Sequence, residues 1–222
     1  MRLSRFWILI LCCLSFSTWA VPKHPWYVGG GLGYAFQHQD LKYNNTVTVS
    51  GSSSTELYES MDFAHGLYSH ANIGFYITSM HRLKLGYGWF PTAMKAEADG
   101  QDKGTWYLDN EIFIFEYDFL LPMPLGWSWT IGAQLGSITS ILTEIENQDG
   151  STFKPDDIDL GGFSYGLQTG FEYHVAQVVM GLKGIFLMNS NNATTEVKNG
   201  DETFTIKEDY SLLVDFSLGF VF

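Results

Sequence analysis

The chain has 222 residues, with 24 acidic against 12 basic side chains, 16% aromatic residues and 23 glycines. That length suits one domain, and the acidic excess repels nucleic acid and excludes it as a partner. Both cysteines, Cys12 and Cys13, fall within the first twenty residues, so no disulfide or thiolate metal site can form beyond them.

Residues 1–20 read as a secretory signal. Arg2 and Arg5 precede the apolar run "FWILILCCL", which is too short to cross a bilayer as a helix. Thr18 and Ala20 supply the small residues of a cleavage site, and no stop-transfer pattern follows, which disfavours an uncleaved anchor. Leu11 is too bulky for lipoprotein cleavage before Cys12. The mature domain is then 21–222, with 10 basic against 24 acidic residues.

Eight segments of period two follow, the spacing of strands. In "WYVGGGLGYAFQ" (26–37), Trp26, Val28, Leu32, Tyr34 and Phe36 share one face and the glycines the other. In "GLYSHANIGFYI" (66–77), Leu67, Ile73 and Phe75 oppose His70 and Asn72. In "HRLKLGYGWF" (81–90), Leu83, Leu85, Tyr87 and Trp89 oppose Arg82 and Lys84. In "EIFIFEYDFL" (111–120), Phe113, Phe115, Tyr117 and Phe119 oppose Glu116 and Asp118. "WSWTIGAQLG" (127–136) and "GFSYGLQTGFEYH" (162–174) repeat the pattern, the second setting Phe171 and Tyr173 against Gln168 and Glu172. "VVMGLKGIFLM" (178–188) carries Lys183, and "YSLLVDFSLGFVF" (210–222) carries Asp215 opposite Phe216, Leu218, Phe220 and Phe222.

The connectors alternate. Short ones fall at 78–80, 121–126 and 175–177; long polar ones fall at 39–60, 91–105, 138–160 and 189–204. Eight strands with short turns at one end and long loops at the other predict an all-β, antiparallel, up-and-down transmembrane barrel. A lipocalin-like soluble barrel would turn the apolar face inward. An eight-stranded bore is too narrow for so many large rings, so Phe113, Phe115, Trp129 and Phe216 are expected to face lipid, with small and polar residues inside.

Tyr117, Trp127, Trp129 and Tyr173 lie beside the short turns as interfacial aromatics; Trp89 and Trp106 are assigned to the opposite rim. The interior charges need partners. Their depths predict a lumen ion network that pairs Arg82 and Lys84 with Glu116 and Asp118, and Lys183 with Asp215 or Glu172. A structural plug is favoured over transport through so narrow a bore.

The stretch "WYVGGGLGYAF" and the closing "DFSLGFVF" resemble the small Gram-negative outer-membrane barrels of the opacity-protein and outer-membrane-protein-A transmembrane type, with the outer-membrane-protein-W type as second choice. The resemblance implies outer-membrane residence among phospholipid and lipopolysaccharide. It also implies an assembly signal at Phe216, Leu218, Phe220 and Phe222, read by the barrel-insertion machinery.

No cofactor is implied, and no Ser–His–acid set converges: Ser69 and His70 are adjacent and point to opposite faces. A catalytic role, such as lipid A modification, therefore ranks behind two others. The leading expectation is a structural or adhesin-like role, with an extracellular ligand or host surface bound through the long loops. A narrow channel, or a conduit for small apolar molecules, is the alternative. Asp156, Asp157 and Asp159 read as a solvated acidic loop rather than a calcium site.

Overall fold

The computed structural model describes residues 23–49, 52–98, 101–146, 148–154, 158–189, 195–199 and 202–222; within 39–63, 96–103, 158–160 and 195–209, and at Phe153, only the backbone is described. The signal segment 1–20, Asp156 and Asp157 lie outside the described residues. The strands are β1 (Trp26–Val49), β2 (Ser52–Thr78), β3 (His81–Ala98), β4 (Gln101–Pro122), β5 (Trp127–Glu146), β6 (Thr152–Phe153), β7 (Ile158–Val175), β8 (Val178–Asn189), β9 (Thr195–Asn199) and β10 (Glu202–Val221).

Eight of these form the wall. Each pairs antiparallel with its neighbours in the order β1-β2-β3-β4-β5-β7-β8-β10, and β10 returns to β1 and closes the cylinder. The short β6 and β9 extend β5 and β10 at the end away from the tight turns. At the closing seam Phe222 exchanges both backbone hydrogen bonds with Trp26, at 2.9 and 3.1 Å.

Seven of the wall strands exceed the 10–14 residues that bilayer thickness suggests, and β8, at 12, keeps to it. β1 has 24 residues and β2 has 27. Much of the expected 39–60 loop is therefore hairpin, paired in register from Gln39↔Asp62 to Val49↔Ser52. The run "NTVTV" at 45–49 supplies the β-branched residues that sustain such pairing. Likewise, β3 and β4 stay paired to Ala98↔Gln101 across the expected 91–105 loop.

The tight turns lie at the other end. Met80 N donates to Thr78 Oγ1 at 3.2 Å in the first. The second is a turn of 3-10 helix, Pro124–Gly126, with Leu125 at φ 64°. In the third, Ala176 holds φ 53°, a left-handed conformation that a Cβ disfavours by about 1–2 kcal/mol. Ala176→Gly is therefore expected to stabilise the barrel by about 0.5–1 kcal/mol, measured by urea unfolding in lipid vesicles.

The faces divide as the alternation demands. Phe115, Trp129 and Phe216 are 42%, 41% and 57% exposed on the outer wall, while Arg82, Asp118, Lys84 and Lys183 are buried inside. The interior departs from the expectation of small and polar residues in one respect. Ala35, Tyr68, Phe90, Ile112, Ile114, Ile138, Ile185, Leu187 and Leu213 form an apolar cluster within it. A second cluster, Tyr27, Tyr76, Leu120 and Val179, sits by the tight turns. These parts of the bore are thus filled as an ordinary protein core, because side chains inside a small barrel must pack to interior density.

Candidate functional site: a charged plug across the lumen

Between the two apolar clusters lies a layer of ionised side chains. Alternation on β3 points Arg82 and Lys84 inward, and on β4 it does the same for Glu116 and Asp118. The register sets Arg82 opposite Asp118 and Lys84 opposite Glu116. Lys84 Nζ lies 2.5 Å from Glu116 Oε2 and 3.3 Å from Asp118 Oδ2. Arg82 Nη2 lies 2.6 Å from Asp118 Oδ2 and 2.5 Å from Glu172 Oε1. Glu172 stands on β7, which is not a neighbour of β3, so this bond crosses the bore.

The rest of the guanidinium is satisfied too. Nε donates to Asp118 Oδ2 at 3.1 Å and Nη1 to Tyr76 Oη at 3.0 Å. The cation also faces the Tyr27 and Tyr76 rings, 4.8 and 5.3 Å from their centroids, which adds cation–π attraction. A planar fork with five donors suits this multiple contact better than an ammonium would.

Lys183 on β8 approaches Glu172 Oε1 at 3.4 Å and Asp118 Oδ2 at 3.5 Å. Asp215 is its register partner on β10, yet Asp215 bonds His70: Oδ1 lies 2.9 Å from Nε2. Of the two acids expected for Lys183, Glu172 is in reach and Asp215 is engaged elsewhere. Gln168 joins the layer by donating to Glu116 Oε2 at 3.0 Å and to Asp118 Oδ1.

Glycines make these crossings possible. His70 on β2 reaches Asp215 on β10 by passing over β1 at Gly31, where a Cβ would sit 2.5 Å from His70 Nε2 and 2.7 Å from Asp215 Oδ1. Gln168 passes over Gly132 in the same manner, 2.8 Å from where that Cβ would be. The glycine-rich inner face therefore marks tracks along which long side chains lie.

The aromatic assignments divide. Trp127 packs on Tyr173 with centroids 5.0 Å apart, and Trp129 Nε1 donates to Thr169 Oγ1 at 2.9 Å. Tyr117 Oη is 2.6 Å from His81 Nδ1. These four lie on the outer wall near the tight turns, and Trp89 lies on the outer wall nearer the other rim. Trp106 does not: it is 2% exposed and points inward. It shares the even-numbered face of Ile112, Ile114, Glu116 and Asp118, and inside it can bury its whole ring. The far rim is instead furnished by Tyr34, whose Oη meets His65 Nδ1 at 2.8 Å, by His38 stacked on Tyr210, and by Tyr107, which donates to Glu146 at 3.1 Å. His70 and the buried Gln168 also went unassigned on sequence. Their even-numbered positions on the glycine-bearing face were the signal.

In the closing strand, Phe216, Leu218, Phe220 and Phe222 all present their side chains outward. A belt of exposed aromatic and aliphatic groups around a closed cylinder, enclosing paired charges, is stable only with hydrocarbon around it. The chain is an eight-stranded outer-membrane-type β-barrel. No known protein family and no curated protein matches the barrel by sequence. Its likeness is to solved structures. Neisserial surface protein A aligns at TM-score 0.53 and 14% identity, covering 89% of this chain and 97% of that one. Outer membrane protein OprG from Pseudomonas aeruginosa aligns at TM-score 0.51 and 11% identity, with the same two coverages. At such identities the likeness speaks for the fold, a small barrel of the outer membrane.

Proposed function

We propose that this barrel is a closed scaffold of the outer membrane that acts through its extracellular hairpins and passes no ions. The observation that carries the reading is the bond from Arg82 across the bore to Glu172, set within contacts to Asp118, Lys84 and Lys183. An ion crossing the lumen would have to part these charges and then the apolar cluster around Phe90 and Ile138. The hairpins beyond the membrane stand on a rigid wall, the usual arrangement for binding segments. The long segments 39–60, 91–105, 138–160 and 189–204 carry 15 acidic against 5 basic residues, so they suit a partner with a basic surface, and the role is interaction rather than catalysis.

Single-channel recording on the purified protein in planar bilayers tests the plug; the expected result is no stable conductance, and large steady currents would defeat it. Shortening the β1–β2 hairpin should then abolish binding to host cells or matrix while leaving the barrel folded.

A conduit for small apolar molecules has one specific observation behind it. The β2–β3 ladder lacks pairs between His65↔Ala93 and Ser69↔Trp89, at Pro91, which has no N–H to offer. A recess of about 400 Å³ opens there, lined by Pro91, Ala93, Tyr107 and Leu108 and also by the acids Asp109 and Glu144. Accumulation of a labelled aromatic hydrocarbon by cells with and without the gene separates this reading; equal uptake rejects it.

A further inference from the structure

The buried charges fall into two groups along the wall. Arg82, Lys84, Glu116, Asp118, Glu172 and Lys183 form one connected set. His70, Asn72 and Asp215 form another, with Asn72 Nδ2 3.1 Å from His70 Nδ1. Lys183 and Asp215 are register partners on adjacent strands and face the same bore, yet each takes its contacts from elsewhere.

Three observations converge on the space between them. First, a cavity of about 10 Å³ is lined by Asn72, Lys84, Glu116, Lys183, Asp215 and Ser217, about the volume that one water needs, roughly 10–15 Å³. Second, Asn72 is 6% exposed and its Oδ1 accepts no hydrogen bond from the described residues, although a buried acceptor left unmet is costly. Third, the nearest carboxylate oxygens to Lys183 Nζ are at 3.4 and 3.5 Å, at or beyond the outer limit for an N–H···O bond. The ammonium therefore keeps donors to spare.

We propose that one ordered water occupies this cavity, accepting from Lys183 Nζ and donating to Asn72 Oδ1 and Asp215. Both oxygens are acceptors and the ammonium is a donor, so the water's two protons and a lone pair are all used. A metal cation fits poorly, because Lys84 and Lys183 both line the space. A halide fits poorly, because Glu116 and Asp215 do. With the water in place the two groups become one network that runs from β2 through β10 and β8 to β7, β4 and β3. This deepens the closed-plug reading, but its test reads connectivity and not conductance.

The test has two parts on the full barrel in lipid. A high-resolution crystal structure should show one peak of solvent density within about 3.2 Å of both Asn72 Oδ1 and Lys183 Nζ. A double-mutant cycle with Lys183→Met and Asp215→Asn should then be non-additive by at least about threefold in the unfolding equilibrium constant. No density, density replaced by an anomalous metal or halide peak, or effects that multiply to within twofold would each overturn the proposal. Should a variant fail to insert, the density in the parent protein decides alone. A barrel that proved conductive yet showed the water and the coupling would sink the plug and leave this inference standing.

Discussion

Arg82→Met is expected to destabilise the folded barrel by about 3–5 kcal/mol, the cost of removing one partner from a buried ion pair. The methionine keeps much of the volume and loses the charge. Glu172 would then face Asp118 with only Lys183, at 3.4 and 3.5 Å, between them, and Lys84 would remain 3.3 Å from Asp118. Tyr76 Oη would lose its guanidinium donor, and the Tyr27 and Tyr76 rings their cation. Arg82→Lys should fall between parent and Met, because an ammonium keeps the charge but loses the separate Nε and Nη1 bonds of the fork to Asp118 and Tyr76. Combining Arg82→Met with Glu172→Gln should recover part of the loss, since the uncompensated acid goes with its partner. Urea unfolding in vesicles reads all three. A loss below 1 kcal/mol for Arg82→Met would mean that water or mobile ions already screen the lumen, and the plug would no longer stand.

Phe115→Arg tests the other face. Phe115 lies on the outer wall of β4 between Tyr117, near one rim, and Glu111, towards the other, which puts it near mid-membrane. An arginine at the lipid-facing midplane of a barrel costs about 2–4 kcal/mol. Phe115→Leu should be nearly silent, because hydrocarbon accepts either side chain equally. Moving the same arginine to Trp89, close to the headgroups, should cost no more than about 1 kcal/mol beyond the loss of the indole. Equal penalties at the two positions would show that depth in a bilayer does not govern this face.

Strand parity carried most of the fold. On β4 the alternation of Phe113, Phe115 and Tyr117 with Glu116 and Asp118 was enough to tell lipid side from lumen side, because a small bore cannot hold both sets. It also carried the neighbouring-strand pairs, Arg82 with Asp118 and Lys84 with Glu116, whose depths follow from distance to the tight turns. Three features escaped for physical reasons. The bond between Arg82 and Glu172 spans the bore, and spacing along strands says nothing about which opposite wall a long side chain will reach. The partner of Asp215 is set by the gap at Gly31, which lets His70 arrive before Lys183 can. Trp106 was assigned by residue type, which favours the rim, when counting back by twos from Asp118 placed it inside. The hairpin lengths escaped for a fourth reason: polarity marks solvent exposure, and a strand that projects into water is as polar as a loop.

The bridge from His70 over Gly31 to Asp215 joins the second strand to the last one, skipping the first. It can be made only after the two ends of the sheet have met, so it works as a latch across the seam. A cylinder fastened in this way should resist unzipping from β1 or β10, and its opening should be a single concerted event with a high kinetic barrier rather than a progressive peeling of strands.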